Sequence, residues 1–125
     1  MARILVAEDE RDIRELIAFT LQFAGHEISQ AANGAEAVEL APTVKPDLIM
    51  MDVRMPKMTG YEACKALKDI EDVKDIPVVF LSAKGQDEEI ATGIDAGAVA
   101  YILKPFAPSE LTKRISEILE EVGIK

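Results

Sequence analysis

The chain has 125 residues, 49% hydrophobic and 30% charged, enough for one soluble domain with its own core. A formal net charge of -9 argues against a non-specific nucleic-acid surface and leaves a basic or apolar protein partner, or a small anion held through a metal. The one cysteine, Cys64, excludes an internal disulfide and fits a reducing cytoplasm; no run nears the ~20 apolar residues of a membrane span, and Met1-Ala2-Arg3 leads into a strand with no room for a secretory signal.

Strand-like and helix-like patterns alternate along the chain. Arg3 to Ala7 reads as a first strand. Ile13, Leu16, Ile17 and Leu21 follow helical spacing up to Gly25, which stops that helix. A short strand over 26–31 comes next. Asn33-Gly34 then turns the chain into a helix carrying Ala37, Val38 and Leu40, which Pro42 is expected to end. A third strand over 47–52 precedes a loop with Pro56 and Gly60. The next helix carries Ala63, Leu67 and Ile70. A Val-rich fourth strand over 77–81 is followed by a helix over 86–96 with a thin apolar face, Ile90 and Ile94, capped by Gly97. The fifth strand covers 99–103. Leu111, Ile115, Ile118, Leu119 and Val122 mark the last helix, with Pro108 at its first position and Ala107, a poor cap, before it.

Five strand–helix units in strict alternation predict an α/β fold, a parallel sheet with helices on both faces. Right-handed crossovers leave few topologies. The best is a flavodoxin-like three-layer (βα)5 sandwich, a five-stranded parallel sheet in order 2-1-3-4-5, forming one domain over residues 1–125. Its ligand crevice lies at the C-terminal strand ends, near the switch point between strands 1 and 3.

Three of the apolar runs end on charge. Ile4-Leu5-Val6-Ala7 runs into Glu8-Asp9, Leu48-Ile49-Met50-Met51 into Asp52, and Tyr101-Ile102-Leu103 into Lys104-Pro105. Parallel neighbouring strands would gather three carboxylates and one ammonium in the predicted crevice. Carboxylates repel one another, so the cluster calls for a cation. Glu8, Asp9 and Asp52 suit Mg²⁺, which takes carboxylate, water and phosphate oxygens, and no His/Cys set suggests zinc. Lys104 is expected to pair with Asp52 at rest and with an anionic oxygen in a modified state, aimed into the crevice by a cis Lys104-Pro105 bond. Ser82, ending the fourth strand, is expected to reach the same crevice, to bond an anion or cap the next turn.

These motifs resemble the receiver domain of bacterial two-component response regulators over essentially the whole chain. They are Leu5-Val6-Ala7-Glu8-Asp9-Glu10, Asp52-Val53-Arg54-Met55-Pro56 with Gly60, Leu81-Ser82-Ala83, and Tyr101-Ile102-Leu103-Lys104-Pro105-Phe106. The resemblance implies that Asp52 is the phosphoacceptor, attacking the phosphorus of a kinase phosphohistidine. It implies Mg²⁺ ligation by Asp9, Asp52 and the backbone carbonyl of Arg54, with Glu8 acting through water. Lys104 would neutralise charge on the phosphoryl group. Ser82 and Tyr101 would form the switch that reshapes the surface of the fourth helix, fifth strand and last helix. Arg54 and Lys84, the second residues after Asp52 and Ser82, occupy positions that tune phosphoryl lifetime in the family, and are expected to affect water access.

The implied function is a phosphorylation-dependent signalling switch in the cytoplasm, not an enzyme beyond its own phosphorylation and dephosphorylation. The implied partners are a sensor histidine kinase or a histidine phosphotransfer protein upstream and a target protein downstream, without direct nucleic-acid or membrane binding. A monomer is expected, with a phosphorylation-linked dimer as the alternative. The winged-helix transcription-factor subclass has acidic residues before the tyrosine, where this chain has Val99-Ala100, although Glu110 and Arg114 remain. Other readings are an aspartyl phosphatase, a flavin protein on the same fold, and a receiver that binds without phosphorylation. The phosphatase would need a second acid where Arg54 stands, and Glu8-Asp9-Glu10 would repel a flavin phosphate. His26 reads as a surface residue without partners, Cys64 as a structural thiol, Met50 and Met51 as core, Met55 and Met58 as loop residues available to a partner, and Glu117, Glu120 and Glu121 as a solvated face.

Overall fold

The computed structural model describes residues 2–55, 57–83, 98–104 and 106–123. Five strands, β1 (Arg3–Ala7), β2 (Glu27–Ala31), β3 (Leu48–Asp52), β4 (Val78–Ala83) and β5 (Ala100–Lys104), form one parallel sheet in the order β2-β1-β3-β4-β5. Helices α1 (Arg11–Phe23), α2 (Gly34–Val44) and α3 (Gly60–Lys68) and a last helix (Pro108–Glu121) cover it. This is the expected flavodoxin-like order. β1 pairs with both β2 and β3, so the chain reverses its direction of travel between β1 and β3 and opens a crevice there.

The continuous apolar runs follow from burial on two faces. Leu5, Ala7, Ile49, Met51, Val78 and Phe80 point to the side packed by Ala37 and Ala41 of α2 and by Ala63, Cys64 and Leu67 of α3. Ile4, Val6, Leu48, Met50, Val79 and Leu81 point to the other side. Ile17 and Leu21 of α1 and Leu111, Ile115 and Ile118 of the last helix pack there. Each strand therefore feeds two cores, and all five residues of β3 are buried. Among the described residues, no helix is long and apolar enough to cross a membrane.

Several boundaries differ from the sequence expectation. Pro42 lies inside α2 rather than ending it. An interior proline costs about 3 kcal/mol through a lost hydrogen bond and a clash, but the same helix seats Ala37 and Ala41 with no exposed surface. The stop comes at Lys45, left-handed at φ 49°, whose N–H donates to Ala41 O. Lys45 precedes Pro46, which disfavours helical backbone. α3 ends at Lys68, so Ile70 lies in the following turn, its N–H on Leu67 O. β4 and β5 run further than expected, because Ser82 pairs with Leu103 and Ala83 with Lys104. Ala107 is the predicted uncapped start of the last helix, with Pro108 in its first turn. The expected helix over 86–96 with Gly97, together with Lys84, Pro56 and the Lys104-Pro105 bond, lies outside the described residues.

Met55 is buried and Met58 is half-buried against the α2–α3 core, so neither is the free loop residue that the sequence suggested. Hydrophobic side chains after a buried strand fold back onto it unless something holds them out. His26 also departs from expectation. It is half-buried, and its Nδ1 accepts the Ala2 N–H at 3.1 Å, tying down the start of β1. Burial lowers its pKa from the ordinary 6.5. Only the neutral ring can accept this bond. Its contribution is therefore full above the unfolded value and is lost as pH falls through the lower folded value. Between about pH 7 and pH 5 the native chain should lose up to about 1 kcal/mol more than His26→Asn, which keeps an acceptor without titrating. Parallel urea midpoints for the two chains would refute this.

Candidate functional site

Four strand ends build the crevice. Glu8 follows β1 directly, and its N–H donates to Ala31 O at 3.1 Å, so the sheet pairing continues one residue beyond the strand. That leaves Glu8 fully buried while the next residue, Asp9, is exposed. Arg14, in the first turns of α1, donates from Nη1 to the Glu8 carbonyl at 2.9 Å and from Nε to Gln30 Oε1 at 3.3 Å. The helix thus fixes the backbone that carries the acids. Asp52 ends β3 with 6% exposure, and the N–H of Val53 donates to Leu81 O at 3.1 Å. Ser82, near the end of β4, is 1% exposed.

Lys104 closes the group from β5. Its Nζ is 3.0 Å from Asp52 Oδ1 and 3.4 Å from each carboxylate oxygen of Glu8. One carboxylate oxygen each from Glu8, Asp9 and Asp52 lies within 4.8 Å of the others. The cavity above them has a volume of about 180 Å³ and is lined by Asp9, Glu10, Asp52, Val53, Arg54, Ser82 and Lys104. The structure thus brings Asp9, Asp52, Arg54, Ser82 and Lys104 together around one opening, with Glu8 beneath.

The electrostatics follow from that packing. Burial, reinforced by the neighbouring Asp52 charge and opposed by Lys104, pushes the Glu8 carboxyl up to about 8. Burial works against the charge of Lys104, but its contacts with Asp52 and Glu8 outweigh it and hold the ammonium above its ordinary 10.5. One ammonium does not balance three acids, so the pocket has excess negative charge when all three are ionised. A hard, oxygen-seeking dication fits that donor set. At about 2.0–2.1 Å per bond, Mg²⁺ holds its ligand oxygens within roughly 4.2 Å of one another, or further apart through a water. Donor oxygens that all lie within 4.8 Å of one another are compatible with direct and with water-mediated contacts.

The loop after Asp52 is tightly specified. Gly60 N–H donates to Val53 O at 2.9 Å and closes it. Lys57 takes left-handed backbone at φ 68°. Thr59 and Glu62 then form a reciprocal cap on α3, with Glu62 N–H on Thr59 Oγ1 at 3.2 Å and Thr59 N–H on Glu62 Oε1 at 3.0 Å. The Thr59 N–H also draws the Glu62 pKa below its ordinary value. A β-carbon on Gly60 would collide with the Asp52 carbonyl oxygen, so only glycine lets α3 start this close to the end of β3.

Tyr101 sits apart from the acids. It is half-buried on β5, opposite Phe80 in register, with ring centroids 5.7 Å apart and planes tilted 49°. Phe80 also meets Tyr61 in a T-shaped contact, with ring centroids 5.2 Å apart. Cys64 is buried in α3, and burial raises its thiol pKa, as a structural role requires. Glu117, Glu120 and Glu121 are exposed as expected. Sequence reasoning missed Arg14 as a tether of Glu8. Its place in the first helical turns after Asp9 was the available signal.

Comparison with known proteins agrees with this geometry. Residues 4–116 match the family model described as the response regulator receiver domain. The phosphate regulon transcriptional regulatory protein PhoB of Pseudomonas aeruginosa is 41% identical over 120 residues, covering 96% of this chain and 52% of that protein. The DNA-binding dual master transcriptional regulator RpaA of Synechocystis is 39% identical over 119 residues, covering 95% of this chain and 49% of its own length. The chain thus spans about half the length of these curated relatives. Among solved structures, the chemotaxis response regulator CheY4 of Vibrio cholerae superposes with a TM-score of 0.90 at 37% identity, covering 95% of this chain and 99% of that one. The chain belongs to the response regulator receiver domain family of two-component systems.

Proposed function

We propose that the chain is a phosphorylation-operated switch that accepts a phosphoryl group on Asp52 from a phosphohistidine of a histidine kinase or phosphotransfer protein. The observation that carries this reading is the placement of Asp52. Its carboxylate ends a buried strand, opens on a small cavity, pairs with Lys104 at 3.0 Å and shares an acidic cluster with Glu8 and Asp9.

In the proposed transfer an Asp52 oxygen forms a bond to phosphorus as the donor's P–N bond breaks. Asp9, Asp52 and the backbone carbonyl of Arg54 would hold Mg²⁺, with Glu8 contributing through a water. When bound, the ion offsets negative charge on the transferring group and orients it. Lys104 leaves its contact with Asp52 for a phosphoryl oxygen, keeping the ammonium paired throughout. Ser82 lines the same cavity and would donate its hydroxyl to another oxygen. Its movement towards the phosphoryl group is the proposed trigger for Tyr101.

Tyr101, Leu103 and Phe106 line a groove with Glu110 and Arg114 of the last helix, which suits an output surface for a protein target. Arg54 is exposed at the cavity mouth, which supports a role in water access and therefore in phosphoryl lifetime. The same residue argues against the phosphatase reading, since it offers no proton to a leaving group at neutral pH. We place the switch in the cytoplasm, on the lone buried thiol.

The test is labelling by a small phosphodonor such as acetyl phosphate. Phosphate labile to base and to hydroxylamine, as an acyl phosphate is, should appear with Mg²⁺, disappear with chelator, and map to the peptide that contains Asp52. A label that is independent of divalent metal, or that maps elsewhere, sinks the proposal.

A further inference from the structure

Gly34 is the first residue of α2, behind the cap Asn33, whose Oδ1 accepts the Glu36 N–H at 2.8 Å. Its backbone does not explain the glycine. The glycines with positive φ among the described residues are Gly25 and Gly123. In a helix with ordinary dihedrals, glycine costs roughly 0.5–1 kcal/mol relative to alanine.

The surroundings do explain it. A β-carbon on Gly34 would collide with the carbonyl oxygen of Met58, and would lie 3.1 Å from its carbonyl carbon and 3.2 Å from Ala63 Cβ. The obstacle is main chain, so no rotamer change relieves it. α2 has little room to retreat, because Ala37 and Ala41 are fully buried beneath it. The Met58 peptide belongs to the loop after Asp52. The far end of that loop is held by the Gly60–Val53 hydrogen bond and by the bare Cα of Gly60 against the Asp52 carbonyl. The described residues of the loop, 53–55 and 57–59, therefore run between two glycines, one on α2 against Met58 and one on α3 against Asp52 and Val53, and Arg54 lies among them.

We propose that Gly34 is a positioning residue for the metal-binding loop: by letting the Met58 main chain pass against α2, it sets where the Arg54 carbonyl and Asp52 stand relative to Asp9. This inference rests on the reading of that loop as part of the Mg²⁺ site. A misplacement of about 1 Å can cost on the order of 10²-fold in such sites, and the loss of a supporting partner typically costs 10- to 100-fold in metal affinity. Alanine also gains helix propensity, which offsets part of the strain and favours a folded variant.

The experiment is a Mg²⁺ titration by calorimetry on the unmodified chain, Gly34→Ala and Gly25→Ala, with urea midpoints for each. Gly25 has φ 99° and open space around it, so alanine there strains the backbone without crowding a neighbour. The expected result is affinity weakened about 10-fold or more in Gly34→Ala and unchanged in Gly25→Ala. Unchanged affinity in Gly34→Ala, or equal weakening in both variants, overturns the inference. Failure of the unmodified chain to bind Mg²⁺ overturns the site reading instead. If Gly34→Ala does not fold, the amide resonances of the unmodified chain decide. Those of Gly34 and Met58 should follow Mg²⁺ with the same dissociation constant as Val53 and Arg54, and a static Gly34 resonance overturns the inference.

Discussion

Asp52→Asn should abolish Mg²⁺-dependent labelling by acetyl phosphate, a loss of at least about 10³-fold, while leaving the fold intact. The amide has nearly the same shape, and the sheet pairing at this end runs through main chain, with Val53 N–H on Leu81 O. An amide is a far weaker nucleophile towards phosphorus, and it lowers the affinity of the acidic cluster for a cation. The variant carries a second signature, which separates a lost nucleophile from a collapsed site. Asp52 is the largest contributor after burial to the raised pKa of Glu8. With Asp52 neutral, Lys104 keeps Glu8 as its remaining carboxylate partner at 3.4 Å among the contacts described, so the Glu8 pKa should fall. Carboxyl carbon shifts followed against pH would show that fall. Retained label in Asp52→Asn would remove Asp52 from the mechanism. A lost label with an unmoved Glu8 titration would contradict the geometry of the pair.

Some of this site was readable before any coordinates, for a physical reason. Strands buried on both faces need unbroken apolar runs, so the first polar residue after each run marks where the strand leaves the core. That placed Glu8-Asp9 and Asp52, and the parallel order implied by strict alternation placed them side by side. Lys104 and Ser82 were assigned to the correct edge of the sheet but lie within β5 and β4, because pairing of Ser82 with Leu103 extends both strands. Pro42 misled because the packing of Ala37 and Ala41 outweighs a local penalty, while the true stop depends on Lys45 before Pro46. His26 had no partner in sequence because its partner is the Ala2 main chain, 24 residues away. Gly34 was legible only as part of the Asn33-Gly34 turn, for the same reason. The Met58 carbonyl that requires it comes from another element, and a main-chain contact leaves no pattern in side chains. The charge state of Glu8 was equally hidden. Sequence shows an acid at a strand end but not that it is buried beneath its neighbour while Asp9 faces water.

The burial of Glu8 makes the metal-free chain less stable as pH rises. Its carboxyl titrates near 4.5 when exposed and at about 8 when folded. Between those values the folded state holds a proton that the unfolded state has released, so unfolding gains from each rise in pH. The stability associated with this group is fully present below about pH 4.5 and is lost as pH climbs through 8. The slope is at most about 1.4 kcal/mol per pH unit, and the whole effect is on the order of a few kcal/mol. Lys104 does not cancel it, because its raised pKa acts only above its ordinary 10.5. Mg²⁺ should remove the trend. A cation takes over the role of the proton, so saturating Mg²⁺ flattens the dependence, and the affinity for Mg²⁺ itself should increase with pH up to about 8. Urea midpoints measured between about pH 6 and pH 8.5, with Mg²⁺ and with chelator, test both statements. Glu8→Gln supplies the control: metal-free, its midpoint should vary little over this range and exceed that of the unmodified chain at the alkaline end. A metal-free midpoint in the unmodified chain that holds level or rises across this window would show that Glu8 is ionised at rest, with Lys104 compensating it fully.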